Sequence, residues 1–294
     1  DKGAVFTATA LAASIATLVM AIMAKLPFAL APGMGLNAFF AFTLVQGMGF
    51  SWEAALAAVF IEGVVFILLT VFNVRELIVN AIPETLRHAI SVGIGLFIAF
   101  LGLQKAGLIV ADPATFVSLG EFTPSTLLAV GGIVIGGVLV ARKVRGALFY
   151  AILIVTVLSI PLGVTRIPEN FSFVSLPHSL EPVFFKLDFH SLLSVNMLVA
   201  LFSLVFMDIF DTLGTLVGTA NKVGMVKPDG SIPKLKPAMM ADAIGTTVGA
   251  LLGTSTTTTY AESTAGIAEG GRSGLTAAVV CVLFLVALFF SPFF

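Results

Sequence analysis

Charge is what this 294-residue chain has least of: Asp, Glu, Lys and Arg make up 11% of it against 58% hydrophobic residues, and the mean hydropathy is +1.10. Soluble domains carry about 25% charged residues, so a water-exposed globule is excluded and a polytopic membrane protein remains. Cysteine is down to one, Cys281, which excludes an internal disulfide and reads as a small hydrophobe inside an apolar run. Histidine is down to three, His88, His178 and His190, each at a span end or in a loop. None is spaced as metal ligands are, so no metal and no cofactor is expected. A net charge of −1, without a basic stripe interleaved with aromatics, gives no footprint for nucleic acid. The first apolar segment lacks the basic flank and small-residue cleavage site of a secretory signal.

Long apolar runs are what the chain has instead. A crossing needs about 20 residues, and about ten such runs follow one another, centred on Ile15, Phe40, Val64, Phe97, Ile135, Ile154, Phe202, Thr247, Glu262 and Phe284. The chain starts at Asp1 rather than Met and stops just after an apolar run, so a fragment of a longer gene product is expected. Of the 15 lysines and arginines, eleven fall in alternate loops: Lys25; Arg75 and Arg87; Arg142, Lys143 and Arg145; Lys222, Lys227, Lys234 and Lys236; and Arg272. The positive-inside rule makes that side cytoplasmic. Pro168, Pro177 and Pro182 exclude a helix from the longest polar stretch, Thr165 to His190, which divides the chain into two membrane halves. Gly131, Gly132, Gly136 and Gly137 put small residues four apart for helix packing. The run Ala268 to Gly274 reads as a tight cytoplasmic turn, because a phosphate loop needs the full GxxxxGK[ST] spacing.

Two segments break the pattern. Phe28 to Phe40 (FALAPGMGLNAFF) and Thr254 to Gly266 (TSTTTTYAESTAG) bring Pro, Gly, Asn, a threonine run and a carboxylate into apolar surroundings. Irregular backbone persists at membrane depth only where it is buried in protein or lines a cavity, and paired broken segments in two halves point to a transporter's binding site. Thr256 to Thr259 favour a strand, followed by a short helix whose free N–H groups attract acceptors. Glu262 is expected there as a ligand contact, with Tyr260 on the same strand face. Asn37 is expected at the matching place of the first break, its amide able to donate and accept.

Four further acids lie in apolar runs, and each ionisable group at membrane depth is a functional hypothesis. Asp208 and Asp211 in FMDIFDTLGT are three apart and share a helix face. Two acids that close repel as anions, and one proton between them relieves the repulsion, which suits a proton carrier. Asp211 is expected to touch substrate or its supporting network and Asp208 to act in proton coupling or support. Glu62 and Asp242 lack a companion break and read as structural. Phe39, Phe40 and Phe210 could sandwich an aromatic ligand with Tyr260, although packing is the better default for the phenylalanines.

The segments LAPGMGLNAFFAF, ISVGIGLFIAFLGLQKAG, FDTLGTLVGTA and TSTTTTYAESTAGIAEGGRSGLTA together make the chain resemble the AzgA-like branch of the nucleobase–cation symporters, the hypoxanthine, guanine and adenine permeases related to xanthine/uracil permeases. The resemblance implies an all-α polytopic fold of seven plus seven spans in two inverted repeats, with two strand-helix broken spans, and core and gate domains interleaved in sequence. Residues 1–165 would be most of the first repeat, 166–190 an extracellular connector, and 191–294 the first part of the second. It further implies that Glu262, Asp211, Asn37 and Tyr260 bind substrate. Relatives specific for uracil carry histidines near Asp211, where this chain has Thr212 and Thr215.

The expected function is proton-coupled uptake of a purine nucleobase by alternating access, with no catalytic residue and no enzyme activity. Lipid bilayer and nucleobase are the expected partners, a homodimer is one assembly open to it, and the location is the plasma or inner membrane. An anion transporter of the same two-repeat architecture is the alternative, disfavoured by the carboxylate at Glu262. An intramembrane enzyme is less favoured still, for want of a membrane-depth histidine or second cysteine.

Overall fold

A computed structural model describes residues 1–74, 77, 83–165, 172–222 and 232–293. Two compact units emerge: Asp1–Ser91 with Ser172–Phe294, and Val92–Phe171. The first unit therefore takes residues from both sequence halves.

In the first unit, α1 (Lys2–Val19) starts where the Asp1 carboxylate accepts the Gly3 N–H at 2.9 Å, and ends through a π-turn, Met20–Ala24. A strand β1 (Leu30–Pro32) leads into α2 (Met34–Ala38), continued as a π-helix over Phe39–Gly47. Next comes α3 (Trp52–Val71), begun by Ser51, whose hydroxyl accepts the Ala54 N–H. After α4 (Glu84–Lys105), which contains the boundary between the units, and after the second unit, the chain returns as α7 (Val195–Lys222) and α8 (Leu235–Leu252). A second short strand, β4 (Thr257–Thr259), then feeds α9 (Ser263–Ala268), and α10 (Gly274–Ala287) runs into a 3-10 turn, Leu288–Phe293. Among the described residues, five helices are long and apolar enough to cross a membrane, and Met34–Gly47 and Ala147–Ser159 are shorter apolar helices.

Small residues let the helices of this unit close up, as packing in lipid requires. A Cβ on Gly245 of α8 would lie 2.7 Å from the Ala16 Cβ of α1, and one on Gly63 of α3 would lie 2.7 Å from the Thr247 backbone nitrogen of α8. Phe28, Leu30, Phe66, Leu216 and Met239 fill the space between.

The unit has two distinct ends. At one, the Gly274 N–H donates to the Lys25 carbonyl, Lys236 donates to Asn73, and Arg272 closes the turn after α9 by donating to the Ile267 carbonyl at 3.2 Å. At the other, Phe185 N–H reaches the Leu251 carbonyl, Asp188 N–H reaches Glu53, and Ser175 N–H reaches Phe289. Lys25, Lys236 and Arg272 thus gather at one end; Arg75 and Lys227 of the same expected set lie outside the described residues. The described part of the Pro-rich stretch, residues 172–190, contains no helix.

The second unit holds β2 (Ile109–Asp112), β3 (Phe116–Leu119), α5 (Pro124–Ala141) and α6 (Ala147–Ser159). The β2–β3 hairpin pairs Ile109 with Leu119 and Asp112 with Phe116. Its turn is made by the Asp112 carboxylate, which accepts the N–H groups of Ala114 at 2.8 Å and Thr115 at 2.9 Å, a local bond that periodicity does not reveal. In α5 a Cβ on Gly132 would come within 2.8 Å of the Val155 side chain of α6 and one on Gly136 within 3.5 Å of the Ala151 Cβ, whereas Gly131 and Gly137 face open space, so two of the four glycines pack the neighbouring helix.

Candidate functional site at the paired broken spans

The two breaks meet. β1 and β4 pair antiparallel, Leu30 opposite Thr259, Ala31 opposite Thr258 and Pro32 opposite Thr257. Each strand is too short to be stable alone, and the chain holds the ribbon from all sides with hydroxyls and carboxylates. Thr17 of α1 donates to the Leu30 carbonyl at 3.1 Å and accepts its N–H at 2.9 Å. Thr246 of α8 donates to the Thr257 carbonyl at 2.8 Å. Gly33 N–H donates to the Thr256 carbonyl at 3.2 Å, and Tyr260 N–H to the Ala29 carbonyl at 3.3 Å. Every backbone group so engaged is one that lipid could not satisfy.

Three acids lie fully buried around the ribbon: Glu62, Asp208 and Asp242 are each 0% exposed. Asp242 accepts the Thr259 N–H at 2.8 Å on one oxygen and the Thr212 hydroxyl at 2.9 Å on the other. Thr212 also lies 2.9 Å from the Thr258 hydroxyl and 3.3 Å from Asp208 Oδ1. A hydroxyl has one proton to give; the shorter contact assigns it to Asp242, with Thr258 donating back. Glu62 accepts the Thr256 hydroxyl at 2.8 Å. The structural reading of Glu62 and Asp242 fits these contacts, and Asp208 joins the same network through Thr212.

Asp211 is different. It is only half-buried, and a Cβ on Gly33 would lie 3.5 Å from its Oδ2 and 3.0 Å from Thr258. The carboxylate therefore lies over the start of α2, within electrostatic reach of Glu262 and Asp242. Gly33 is a site position that the acid-centred reading missed; its signal was the PGMG turn opening a helix. Regular bonding in α2 begins with Asn37 N–H to the Gly33 carbonyl, 2.8 Å, so the N–H groups of Met34, Gly35 and Leu36 precede the first such bond. N–H groups at the start of α2 and the Asp211 carboxylate thus lie together, with the Glu262 charge within reach of Asp211.

Glu262 is exposed and occupies the residue that starts α9, with helical φ −61° and ψ −21°. Two expectations change here. The N–H groups of Ser263, Thr264 and Ala265 are not free but bond to the carbonyls of Tyr260, Ala261 and Glu262, because the chain turns tightly straight out of the strand. Tyr260 and Glu262 lie beyond the strand, which ends at Thr259, so strand alternation does not place them together; the turn does, and Tyr260 lies half-buried within electrostatic reach of Glu262.

Asn37 does not match Glu262 in position. It lies in the first turn of α2 rather than at its start, and its amide oxygen accepts the Ser255 hydroxyl. Across the ribbon, Ser263 at the first residue of α9 accepts the Ala29 N–H at 3.0 Å, so the counterpart of the Asn37 contact is Ser263. Asn37 also lines a cavity of about 490 Å³ with Phe40, Trp52, Thr254 and Ser255, a lining that does not include Asp211, Tyr260 or Glu262. Phe39 and Phe40 pack against the cluster around Leu44 and Met197, and Phe210 lies beside Phe206 along α7, ring centroids 6.2 Å apart and planes tilted by 48°.

Comparison with known proteins decides the class. The whole chain, residues 1–294, matches the model of the permease family Xan_ur_permease. The chain belongs to this permease family. It is 45% identical to the guanine/hypoxanthine permease PbuG of Bacillus subtilis, with 99% of this chain and 66% of that protein covered. It is 41% identical to the adenine permease AdeP of Escherichia coli, over 99% of this chain and 65% of that one. The chain thus spans about two thirds of the length of these relatives. Among solved structures it resembles the transmembrane domain of a cyanobacterial bicarbonate transporter, BicA, with a TM-score of 0.61 and 19% identity, over 99% of this chain and 83% of that one. That likeness speaks for the fold. The permease is a multi-pass membrane transporter and not an enzyme, and it resides in the plasma membrane.

Proposed function

We propose that the permease takes up a purine nucleobase together with a proton. The observation that carries this reading is the Asp211 carboxylate lying over the N–H groups at the start of α2, where the two broken spans pair, with the Glu262 charge within its reach. A purine base presents N–H groups and ring nitrogens side by side, so it needs both kinds of partner. Glu262 accepts base N–H groups, Tyr260 covers the ring face, and α2 N–H groups meet ring nitrogens or an exocyclic oxygen. Asn37 holds the first turn of α2 against Ser255. The relatives PbuG and AdeP, named for guanine, hypoxanthine and adenine, support the substrate class. The acidic site disfavours an anion as cargo.

Asp208 or Asp211 carries the proton in this scheme. Carriage follows alternating access, in which one domain of a seven-plus-seven inverted-repeat fold rocks against the other around the fixed site. Cells expressing the full-length protein should accumulate labelled hypoxanthine, guanine or adenine saturably, and collapse of the pH gradient should abolish accumulation. Absence of saturable uptake of all three would refute the substrate class, and accumulation that survives the collapse would refute proton coupling.

A further inference from the structure

Glu62 lies in the middle of α3 with no solvent exposure, where a carboxylate is costly unless it is engaged. Its Oε2 accepts the Thr256 hydroxyl at 2.8 Å. Thr256 is the residue before β4, and its backbone carbonyl accepts the Gly33 N–H at 3.2 Å. Gly33 is where α2 begins, and the Asp211 carboxylate lies over it. Two hydrogen bonds in series thus join a helix outside the site to the helix start that faces the proposed base.

The neighbouring glycine fixes the height of this linkage. At Gly63, α3 approaches α8 so closely that a Cβ would lie 2.4 Å from the Thr247 hydroxyl and 2.7 Å from its backbone nitrogen. Glu62 is thereby held at the level of Thr256, on the ribbon's entry, while Asp242 holds its exit at Thr259. We propose that Glu62 is a positioning residue of the permease: it sets Thr256, Thr256 sets Gly33, and Gly33 aims the first N–H groups of α2 at the bound base. The proposal rests on the reading of the crossing as a purine-base site. A hydroxyl bonded to a carboxylate is held more firmly than one bonded to a neutral acceptor. Without that acceptor the buried Thr256 hydroxyl turns to a backbone carbonyl instead, and its own carbonyl leaves Gly33.

The test uses the full-length protein in cells, with uptake of labelled purine base divided by the amount of transporter at the cell surface. Glu62→Leu keeps the volume and removes the acceptor; Glu62→Gln keeps an oxygen acceptor and removes the charge; Thr256→Val removes the donor. The expected result is a KM raised about tenfold in Glu62→Leu and in Thr256→Val, the size of one charge-assisted hydrogen bond, with the maximal rate per transporter little changed. Glu62→Gln recovers most of that affinity, and Glu62→Leu combined with Thr256→Val is no worse than either alone, because both cut one linkage. Where Glu62→Leu does not reach the membrane, Glu62→Gln and Thr256→Val carry the comparison. Unchanged KM in Thr256→Val, losses that multiply in the double variant, or a Glu62→Gln variant with no measurable uptake would each overturn the positioning role. Wild-type protein without saturable uptake would instead overturn the base-site reading beneath it.

Discussion

Glu262 and Asp242 show how differently two membrane carboxylates are used. Glu262 is exposed at the start of α9, whereas Asp242 is buried and accepts the Thr259 N–H and the Thr212 hydroxyl. Glu262→Gln, which keeps shape and removes charge, should therefore abolish base binding while the protein reaches the membrane at its normal level. Thr212→Val should do the reverse. It deprives Asp242 of a donor inside a dry network, at a cost of about 1–3 kcal/mol, and a lowered unfolding temperature in detergent is the measurement that checks it. Sequence alone singled out every acid at membrane depth, because charge in an apolar run stands out by itself. It did not reveal that Thr212 links Asp208 to Asp242 and Thr258, since spacing along α7 pairs Thr212 with Asp208 but says nothing of the α8 and β4 groups packed against it. Nor did it place Asn37 beside Ser255, because half-helix register depends on where each strand stops.

The two strand-helix breaks were legible as elements, from the threonine run and the PGMG turn, and their antiparallel pairing follows once both are brought to one depth. The entry into β4 depends on Gly253, which ends α8 at φ +98° with its would-be Cβ 2.6 Å from the Val183 side chain and 2.7 Å from its carbonyl. Gly253→Ala combines a left-handed backbone with that clash, so a loss of about 1–2 kcal/mol or more is expected, seen as a lower unfolding temperature together with weaker base binding. In the second unit the β2–β3 turn makes a separate prediction. Backbone N–H groups of Thr115 first, and then Ala114, hold the Asp112 carboxyl below the usual carboxylate range. A value lower in the folded state than in the unfolded one means the turn gains from the carboxylate above the ordinary pKa and loses that gain as pH falls through the folded value. Protection of the Ala114 and Thr115 amides, each exchange rate taken relative to its intrinsic value at the same pH, should accordingly be present at neutral pH and fall as Asp112 is protonated, and Asp112→Asn should remove that change in protection. The hairpin itself escaped the sequence reading because one Asx bond, rather than a periodic pattern, builds it.

At the scale of the whole molecule, Lys25, Lys236 and Arg272 gather at one end of the first unit while the described part of the polar connector lies at the other. That unit assembles from both sequence halves around the ribbon, which local periodicity could not show, since the contacts join residues more than 200 positions apart. The central claim is that this ribbon, with Asp211 and Glu262 as acceptors and the start of α2 as donor, is a purine-base site. Equilibrium binding to the purified full-length protein tests it most directly, with labelled guanine, hypoxanthine and adenine titrated against wild type and Glu262→Gln. Saturable binding of at least one base to wild type, lost in Glu262→Gln, is the predicted result. Equal affinity in the two proteins would contradict it.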